Sequence, residues 1–548
     1  MKRPWKQAAI FLFLLALIGG GLFGDRVLAL TDEARDTLRV YTDLVTVAHQ
    51  RYGGEVSYRD LVYASIQGML RELDPHTSFL PPKAYTGMRE RQQSSFYGLG
   101  ILVGVRNGQL TVISPIEGTP ASRLGMRAGD IIDTIEGEPT EQMSLDEAVD
   151  RLKGPKDTEV NITIVRRGLD EPLQLAVTRA EIPQTTVRLA YMLDERTGYM
   201  QISDFGRGTG HEVSEALDKL RDEGMERLLV DLRNNGGGLL DQAIEVADQF
   251  LGEGSQIVET RGRTRDSFQS FRASDKYPDL ELPVIMLVNR GTASAAEILS
   301  GAVQDHDVGL VVGTPTWGKG LVQTVYSLSY GAGLALTTAK YYTPSGRLIQ
   351  RDYSSFFDYY NYDPLAEDPR DAVRDDLDPS EIFTTDLGRE VYGGGGITPD
   401  VIVEPNEFTP FQQYLFARSA YFGFAVDYAS KLSKESIASW QPPPELIAEF
   451  ESWLIEEDIA TRQKLDEELA TDDVRALAVR QIHGEILNSA LGQEARHRVV
   501  AQGDEQILKA LQMFDQAGDL LARRLKLDQA DGEPRQTAQL EEAGAPQG

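Results

Sequence analysis

The sequence predicts a multidomain α/β protein, with a β-rich block inserted ahead of the α/β core and helical regions at both ends. Three observations carry this expectation. From Ile182 to about Pro405 short apolar runs alternate with helical patterns, the mark of a sheet that is at least partly parallel. From 96 to about 180 the texture changes to β-branched runs punctuated by glycine. On either side of these blocks apolar residues recur at three- and four-residue intervals. A chain of 548 residues is also too long for one core and suggests two to four domains.

Residues 1–30 read as an export segment. Lys2, Arg3 and Lys6 precede an uncharged, mostly apolar run from Ala8 to Gly24, closed by Asp25 and Arg26. Either a signal peptide is cut after Val27-Leu28-Ala29, or the run stays as an N-terminal membrane anchor. In both cases the body is exported, to the periplasm, the cell envelope or the medium. Residues 31–84 are expected to be helical. Thr31 or Asp32 caps a first helix carrying Leu38, Tyr41, Val45 and Ala48 on one face, and Gly53-Gly54 breaks it. Ser57, with Asp60 three residues on, starts a second, which Asp74-Pro75-His76 ends because the pre-proline position disfavours helix.

In the block 85–180, FYGLGILVGV, QLTVISPI, DIIDTIEGEPT and EVNITIVRRG read as strands, and SLDEAVDRLK as a helix capped by Ser144. The loop Tyr97-Gly98-Leu99-Gly100 leads into a strand at Ile101. Glycines there leave backbone N–H groups free to hold a carboxylate, and a strand edge can accept a peptide. With SPIEGTPASRLGMRAGDIIDTIEG, the block resembles a PDZ domain of the circularly permuted bacterial type. The resemblance implies that Tyr97, Gly98, Leu99, Gly100 and Ile101 bind the C-terminus of a protein.

Within 181–405 the strands are GYMQISDF, RLLVDL, LPVIMLVN and DVGLVVG, then the pair LVQTVYSL and GLALTTAKYYTP. GHEVSEALDKLRDEG, LLDQAIEVADQFL and SAAEILSGAVQD are the helices. An acidic, Tyr-rich insertion over about 352–392 reads as a surface excursion, with a flap over the site as the alternative. Residues 406–527 read as a helical domain, either with a solvated charged face or with a surface for self-association or an adaptor protein. A polar tail, 528–548, is expected to be disordered.

Composition narrows the chemistry. A formal charge of −30 repels nucleic acid. The absence of cysteine removes disulfides, thiol catalysis and Cys-based zinc sites, and the six histidines are scattered, so neither metal nor cofactor is expected.

Nucleophilic chemistry has three candidate pieces. Ser294 falls at the mouth of a helix after the strand LPVIMLVN, where the N–H of Ala295 can face an oxyanion. On that segment alone an ordinary N-cap is the better reading. The turn Arg233-Asn234-Asn235-Gly236-Gly237-Gly238 permits close backbone approach and offers N–H donors, or is simply a tight turn; no Lys-Ser/Thr follows to make it a phosphate loop. Lys319 stands between two glycines among apolar residues. Acting as a base at neutral pH means lowering its pKa from ~10.4 to ~7, about 4.6 kcal/mol of differential destabilisation, which burial can provide. His306 lies about three turns along the helix from Ser294, too far to serve.

Together LDPHTSFL, the PDZ-like block, DLRNNGGGLL, GTASAAEI, GKGLVQ and GITPD closely resemble the carboxyl-terminal processing (tail-specific) proteases, in this order and with a Ser-to-Lys separation of 319 − 294 = 25. The resemblance spans about 35–405 and implies a crotonase-like α/β peptidase core. It implies Ser294 as nucleophile, Lys319 as general base, Gln323 orienting Lys319, Glu297 as an accessory acid, and Ala295 with Gly237 or Gly238 as oxyanion donors. Gly236 stands where the family often has Pro, and Ala296 where it often has Ser. In a straight strand Lys319 and Gln323 would lie ~13 Å apart, so their pairing requires a bend near Gly320. A scaffold protein with a peptidase-like core, and acyl chemistry on thioesters, are the rival functions.

Overall fold

The computed structural model describes residues 32–106, 108–274, 276, 280–354, 359 and 381–532. The expected export segment, most of the acidic insertion and residues 533–548 of the expected tail lie outside these residues, whereas 528–532, expected to be disordered, continue the last helix, Glu505–Gly532. The chain divides into two compact units, Met1–Pro81 with Val325–Leu336, and Pro82–Thr324 with Thr337–Gly548.

In the first unit, helices Asp32–Arg51 and Tyr58–Arg71 occupy the expected places, and the Ser57 hydroxyl accepts the Asp60 N–H at 3.0 Å. The Asp74 carboxylate takes the N–H groups of His76 and Thr77 (2.8 and 2.7 Å), turning the chain into a strand, Ser78–Leu80, that pairs antiparallel with Gly333–Ala335. Leu70, Phe79 and Ala332 bury a small core there.

The second unit begins with the PDZ-like block. Its sheet runs Ile101–Arg106, Gln109–Pro115, Ile131–Ile135, Glu159–Val165, Leu173–Thr178; the last of these was absent from the sequence expectation. Val112, Ile132, Ile135, Val160, Ile162 and Ile164 fill its core against helix Leu145–Leu152, whose Ser144 cap accepts the Glu147 N–H at 3.2 Å. Ile101–Arg106 is an edge strand. The expected loop of four residues is shorter. Tyr97 and Gly98 belong to strand Ser95–Gly98, paired with Ala180–Pro183, and only Leu99-Gly100 remain outside a ladder. Leu99 is 2% exposed, a core side chain whose backbone alone is available to a ligand.

The core sheet has six strands, β1 (Val187–Met192), β2 (Thr197–Ile202), β3 (Arg227–Asp231), β4 (Val284–Val288), β5 (Gly309–Gly313) and β6 (Val401–Ile402), and they lie in that order. β1 pairs antiparallel with β2; every later pairing is parallel. A parallel sheet whose order never reverses, joined by right-handed crossovers, places all its crossover helices on one face. Helices α1 (Thr209–Asp222), α2 (Leu240–Ala247) and α3 (Ala295–Asp305) do so, packing on Met200, Leu228, Val230, Met286 and Val311. Residues one position along each strand, Tyr199, Leu229, Ile285, Leu287 and Val312, point the other way and need a separate cover. Helix α4 (Glu505–Gly532) supplies it with Ile507, Ala510, Phe514, Ala517 and Leu520.

This splits the region expected to be one helical domain. Helices between Pro410 and Leu491 form a core of their own around Phe424, Phe450, Leu454 and Ile482, whereas α4 is the second layer of the sheet. Helix Ala420–Ala429 of that bundle meets the PDZ-like block. Arg167 pairs with Asp427, which also accepts the Trp453 indole N–H at 2.8 Å, and Arg106 lies 6.0 Å from the Phe422 ring. The insertion, too, is narrower than expected. The hairpin Ile382–Thr384/Glu390–Tyr392 is tied to the core through Asp386 and Arg389. Among the described residues no helix is long and apolar enough to cross a membrane.

Candidate active site

Three loops leave the C-terminal ends of neighbouring parallel strands: 232–239 after β3, 289–294 after β4 and 314–320 after β5. That end of a parallel sheet is where helix N-termini and strand ends leave backbone groups unpaired. Here the loops are stitched to one another. Asn289 Oδ1 accepts the N–H of Asn234 at 2.8 Å, the Thr292 hydroxyl donates to the Leu232 carbonyl at 2.8 Å, and Ala293 N–H donates to the Asn235 carbonyl at 2.9 Å. Trp317 N–H donates to the Thr292 carbonyl at 2.9 Å.

Ser294 ends the second loop with φ 57° and ψ −115°, a conformation that costs a non-glycine residue about 1–3 kcal/mol and that is found chiefly at functional positions. Its N–H donates to Glu297 Oε2 at 2.7 Å. Glu297 is fully buried in the first turn of α3 and accepts three further bonds: from Lys319 N–H (2.9 Å, Oε2), Gly318 N–H (2.7 Å, Oε1) and the Thr316 hydroxyl (2.5 Å, Oε1). Burial pushes this carboxyl above its ordinary value against the pull of those donors. One carboxylate thereby fixes the backbones at both Ser294 and Lys319. The Tyr341 hydroxyl repeats the bridge from the other side, reaching the Ser294 carbonyl at 3.1 Å and the Lys319 carbonyl.

Lys319 precedes the strand Leu321–Ser327, so straight-strand spacing does not apply, and its Nζ donates to Gln323 Oε1 at 3.0 Å. Gln350 Oε1 accepts the Gly320 N–H at 2.9 Å. The GITPD segment braces the same loop: Ile397 N–H donates to the Thr316 hydroxyl at 2.7 Å.

The glycine turn rests on Ser294. Gly237 has φ +95°, and a Cβ there would lie 2.7 Å from the Ser294 Cβ and 2.8 Å from the Ala295 nitrogen. Its N–H, one of the two offered as oxyanion donor, is instead turned inward to Asn235 Oδ1 at 2.9 Å. Gly238 lies in a parallel bridge to Phe205, whose hydrogen bonds run to Gly237 O and Leu239 N, so the N–H of Gly238 faces away from Phe205. Among the described residues no acceptor takes the N–H of Ala295 or Gly238.

Asn235, Asn289, Thr316, Tyr341 and Gln350 were not singled out from sequence. Thr316, three residues before Lys319, and Asn235, two before Gly237, are the ones with a local signal; Asn289, Tyr341 and Gln350 act on partners in other loops. The Tyr-rich insertion also touches this region. Tyr359 is buried, and its hydroxyl accepts the Trp317 indole N–H at 3.1 Å, contrary to a purely solvent-facing excursion at that residue.

A strained serine at a helix mouth, a lysine whose backbone shares the Glu297 carboxylate with it, and a PDZ-like block are the features to set against known peptidases. Residues 196–353 match the family model of Peptidase family S41, and residues 111–166 match that of the PDZ domain. The chain is 41% identical over 318 residues to the carboxy-terminal-processing protease of Bartonella bacilliformis, covering 57% of this chain and 70% of that one. It is 39% identical over 300 residues to the carboxyl-terminal-processing protease of Synechocystis sp., covering 54% and 69%. The solved photosystem II D1 C-terminal processing protease is 28% identical, covering 65% of this chain and 85% of that one with a TM-score of 0.34. The chain belongs to the carboxyl-terminal processing proteases of Peptidase family S41 and is a serine peptidase with a PDZ domain.

Proposed function

We propose that this protein is an exported endopeptidase that takes protein C-termini on its PDZ domain and cleaves through a Ser294–Lys319 dyad. The observation that carries the dyad is the shared anchor at Glu297, which accepts backbone N–H groups from both residues. With one N–H of Lys319 donated to Gln323, the neutral amine keeps its lone pair for the Ser294 hydroxyl proton. The Ser294 oxygen then attacks the scissile carbonyl, and the N–H groups of Ala295 and Gly238 receive the oxyanion. A removed donor of this kind typically lowers kcat about 10²–10³-fold. The lysine ammonium returns the proton to the leaving amine, and water, deprotonated in the same way, releases the acyl group from Ser294. A monotonic sheet with its catalytic loops at one end supports the crotonase-like reading of the core.

For the substrate, the open edge of Ile101–Arg106 supports strand addition, with the backbone N–H groups of Leu99 and Gly100 facing the terminal carboxylate. Export rests on residues 1–30 and is checked by fractionating cells that express the full chain. The mechanism is tested with a peptide bearing an apolar C-terminus: Ser294→Ala and Lys319→Ala are each to lose cleavage by at least about 10³-fold. Wild-type turnover by either variant would sink the assignment.

A further inference from the structure

The last strand residue before the glycine turn, and the arginine two beyond it, are gripped from the far side of the sheet. Asp231, 1% exposed, receives the Tyr199 hydroxyl (2.8 Å) and the Arg233 guanidinium (Nη2, 2.6 Å) as well as the Arg233 N–H (2.9 Å). Arg233 reaches onward to Asp504 (Nη1 to Oδ2, 2.8 Å) and to Gln506 Oε1 (2.9 Å). Asp504 also accepts the Ile507 N–H at 3.1 Å, which makes it the cap of α4. His497 completes the group, with Nδ1 on the Tyr191 hydroxyl at 2.7 Å and Nε2 3.3 Å from the Tyr199 hydroxyl. A guanidinium whose side chain is only 14% exposed is held this tightly only while its acceptors stay in place, since an unpaired charge there is costly.

Immediately after Arg233 the chain enters the glycine turn. Asn234 N–H is fixed on Asn289, Asn235 Nδ2 on the Ile202 carbonyl, and Gly237 N–H on Asn235. The N–H of Gly238 therefore lies only 238 − 233 = 5 positions beyond the guanidinium clamp. We propose that Asp504 and Gln506, at the start of the last helix, are positioning residues for the peptidase reaction: by holding Arg233 they set where the glycine turn presents its donor to Ser294. Resting on the reading of Gly238 as an oxyanion donor, the idea assigns to the C-terminal helices a part in turnover beyond covering the sheet.

The test compares Asp504→Asn with Arg524→Ala in the full chain. Arg524 ties the same helix to the core, at the His306 carbonyl (3.0 Å) and Asp386, away from the turn. Measured are kcat and KM on a peptide with an apolar C-terminus, affinity for a peptide aldehyde of the same sequence, and the melting temperature. The aldehyde forms a tetrahedral adduct by adding the serine oxygen to its carbonyl carbon, and so reports the oxyanion site. Asp504→Asn is expected to lower kcat and aldehyde affinity in parallel by about tenfold, a partial loss of one donor, with KM within about twofold. Arg524→Ala is expected to lower the melting temperature while leaving kcat within about twofold of wild type. Unchanged kcat in Asp504→Asn, or a loss of kcat in both variants that scales with lost melting temperature, would overturn the proposal. If Asp504→Asn does not fold, Gln506→Ala is to give the same parallel loss at smaller size, and its absence there counts equally against the idea. Failure of the dyad reading looks different, because Ser294→Ala would then retain turnover and aldehyde binding.

Discussion

Four donors converge on the Glu297 carboxylate, two to each oxygen, and none of them is a charged side chain. Such an arrangement suits an acceptor-only group, and an amide of the same shape would turn its NH2 toward two of those donors. Leaving a buried donor without an acceptor costs about 1–3 kcal/mol each. Glu297→Gln is therefore expected to lower the melting temperature and to cut kcat by about tenfold or more, because Ser294 and Lys319 lose their common anchor. Denaturation and steady-state kinetics on the purified variant check both parts; full activity with wild-type stability would show that the anchor is redundant with Tyr341. The strain at Ser294 belongs to the same scale. A side chain kept at φ 57° and ψ −115° stays there only because its neighbours on both sides are pinned.

At the scale of elements, the hairpin Ile382–Tyr392 shows how a segment that reads as solvent-exposed becomes structural. Asp386 meets His306 Nδ1 at 2.7 Å and pairs with Arg524 of α4. The hydrogen bond to His306, more than any other favourable contact, holds its carboxyl below the ordinary carboxylate range, against the pull of partial burial. A depressed carboxylate contributes stability above its unfolded pKa of ~3.9 and loses it as the pH falls through the folded value. Asp386→Asn should melt earlier than wild type near neutral pH, with the gap closing as the pH falls below the unfolded value of ~3.9 and through the lower folded one. Melting curves across that range decide it, and a constant gap would remove Asp386 from the acid response. The helices and core strands were legible in sequence because burial repeats along them: LPVIMLVN is buried throughout β4, and α1 and α2 show their apolar faces openly. Leu173–Thr178 is not legible because its residues alternate in burial beside a polar turn, and Tyr97-Gly98 reads as loop because its partner strand, Ala180–Pro183, is distant in the chain. Ser294, Lys319 and Gln323 are named from sequence through the order and spacing of motifs shared with a family, and the structure joins Lys319 to Gln323. Tyr341 gives no such signal, because it reaches Ser294 and Lys319 through the fold; Asp504 reads locally as a helix cap at Ile507, and its hold on Arg233, like that of the Asn235 carbonyl on Ala293, is made through the fold.

Across the whole molecule, the PDZ domain sits on the helical bundle through few contacts. Arg167, 52% exposed, lies 3.9 Å from Glu457, 41% exposed, a pair open enough to water to be worth about 0–1 kcal/mol, and it also faces Asp427, the more buried partner at 19%. This seat can be reversed by charge without touching either core. Arg167→Glu, placed against two carboxylates, is expected to expose the junctions near 92–95 and 180–187 to faster limited proteolysis while the melting temperature of the peptidase body stays within experimental error. Unaltered cleavage at those junctions would mean that other contacts, such as Arg106 against the Phe422 ring, hold the PDZ domain by themselves.

Helix α4 also sets an order in time. The last strand it covers ends at Ile402, and α4 begins at Glu505, 505 − 402 = 103 residues later. A growing chain emerges N-terminus first at about 5–20 residues per second, so all three loops at the strand ends are synthesised well before the helix that covers the far face of their sheet. Until then that face is an apolar surface of tyrosine, leucine and isoleucine open to water. The sheet that carries the three loops is thus unfinished on one face until a segment far along the chain has been made.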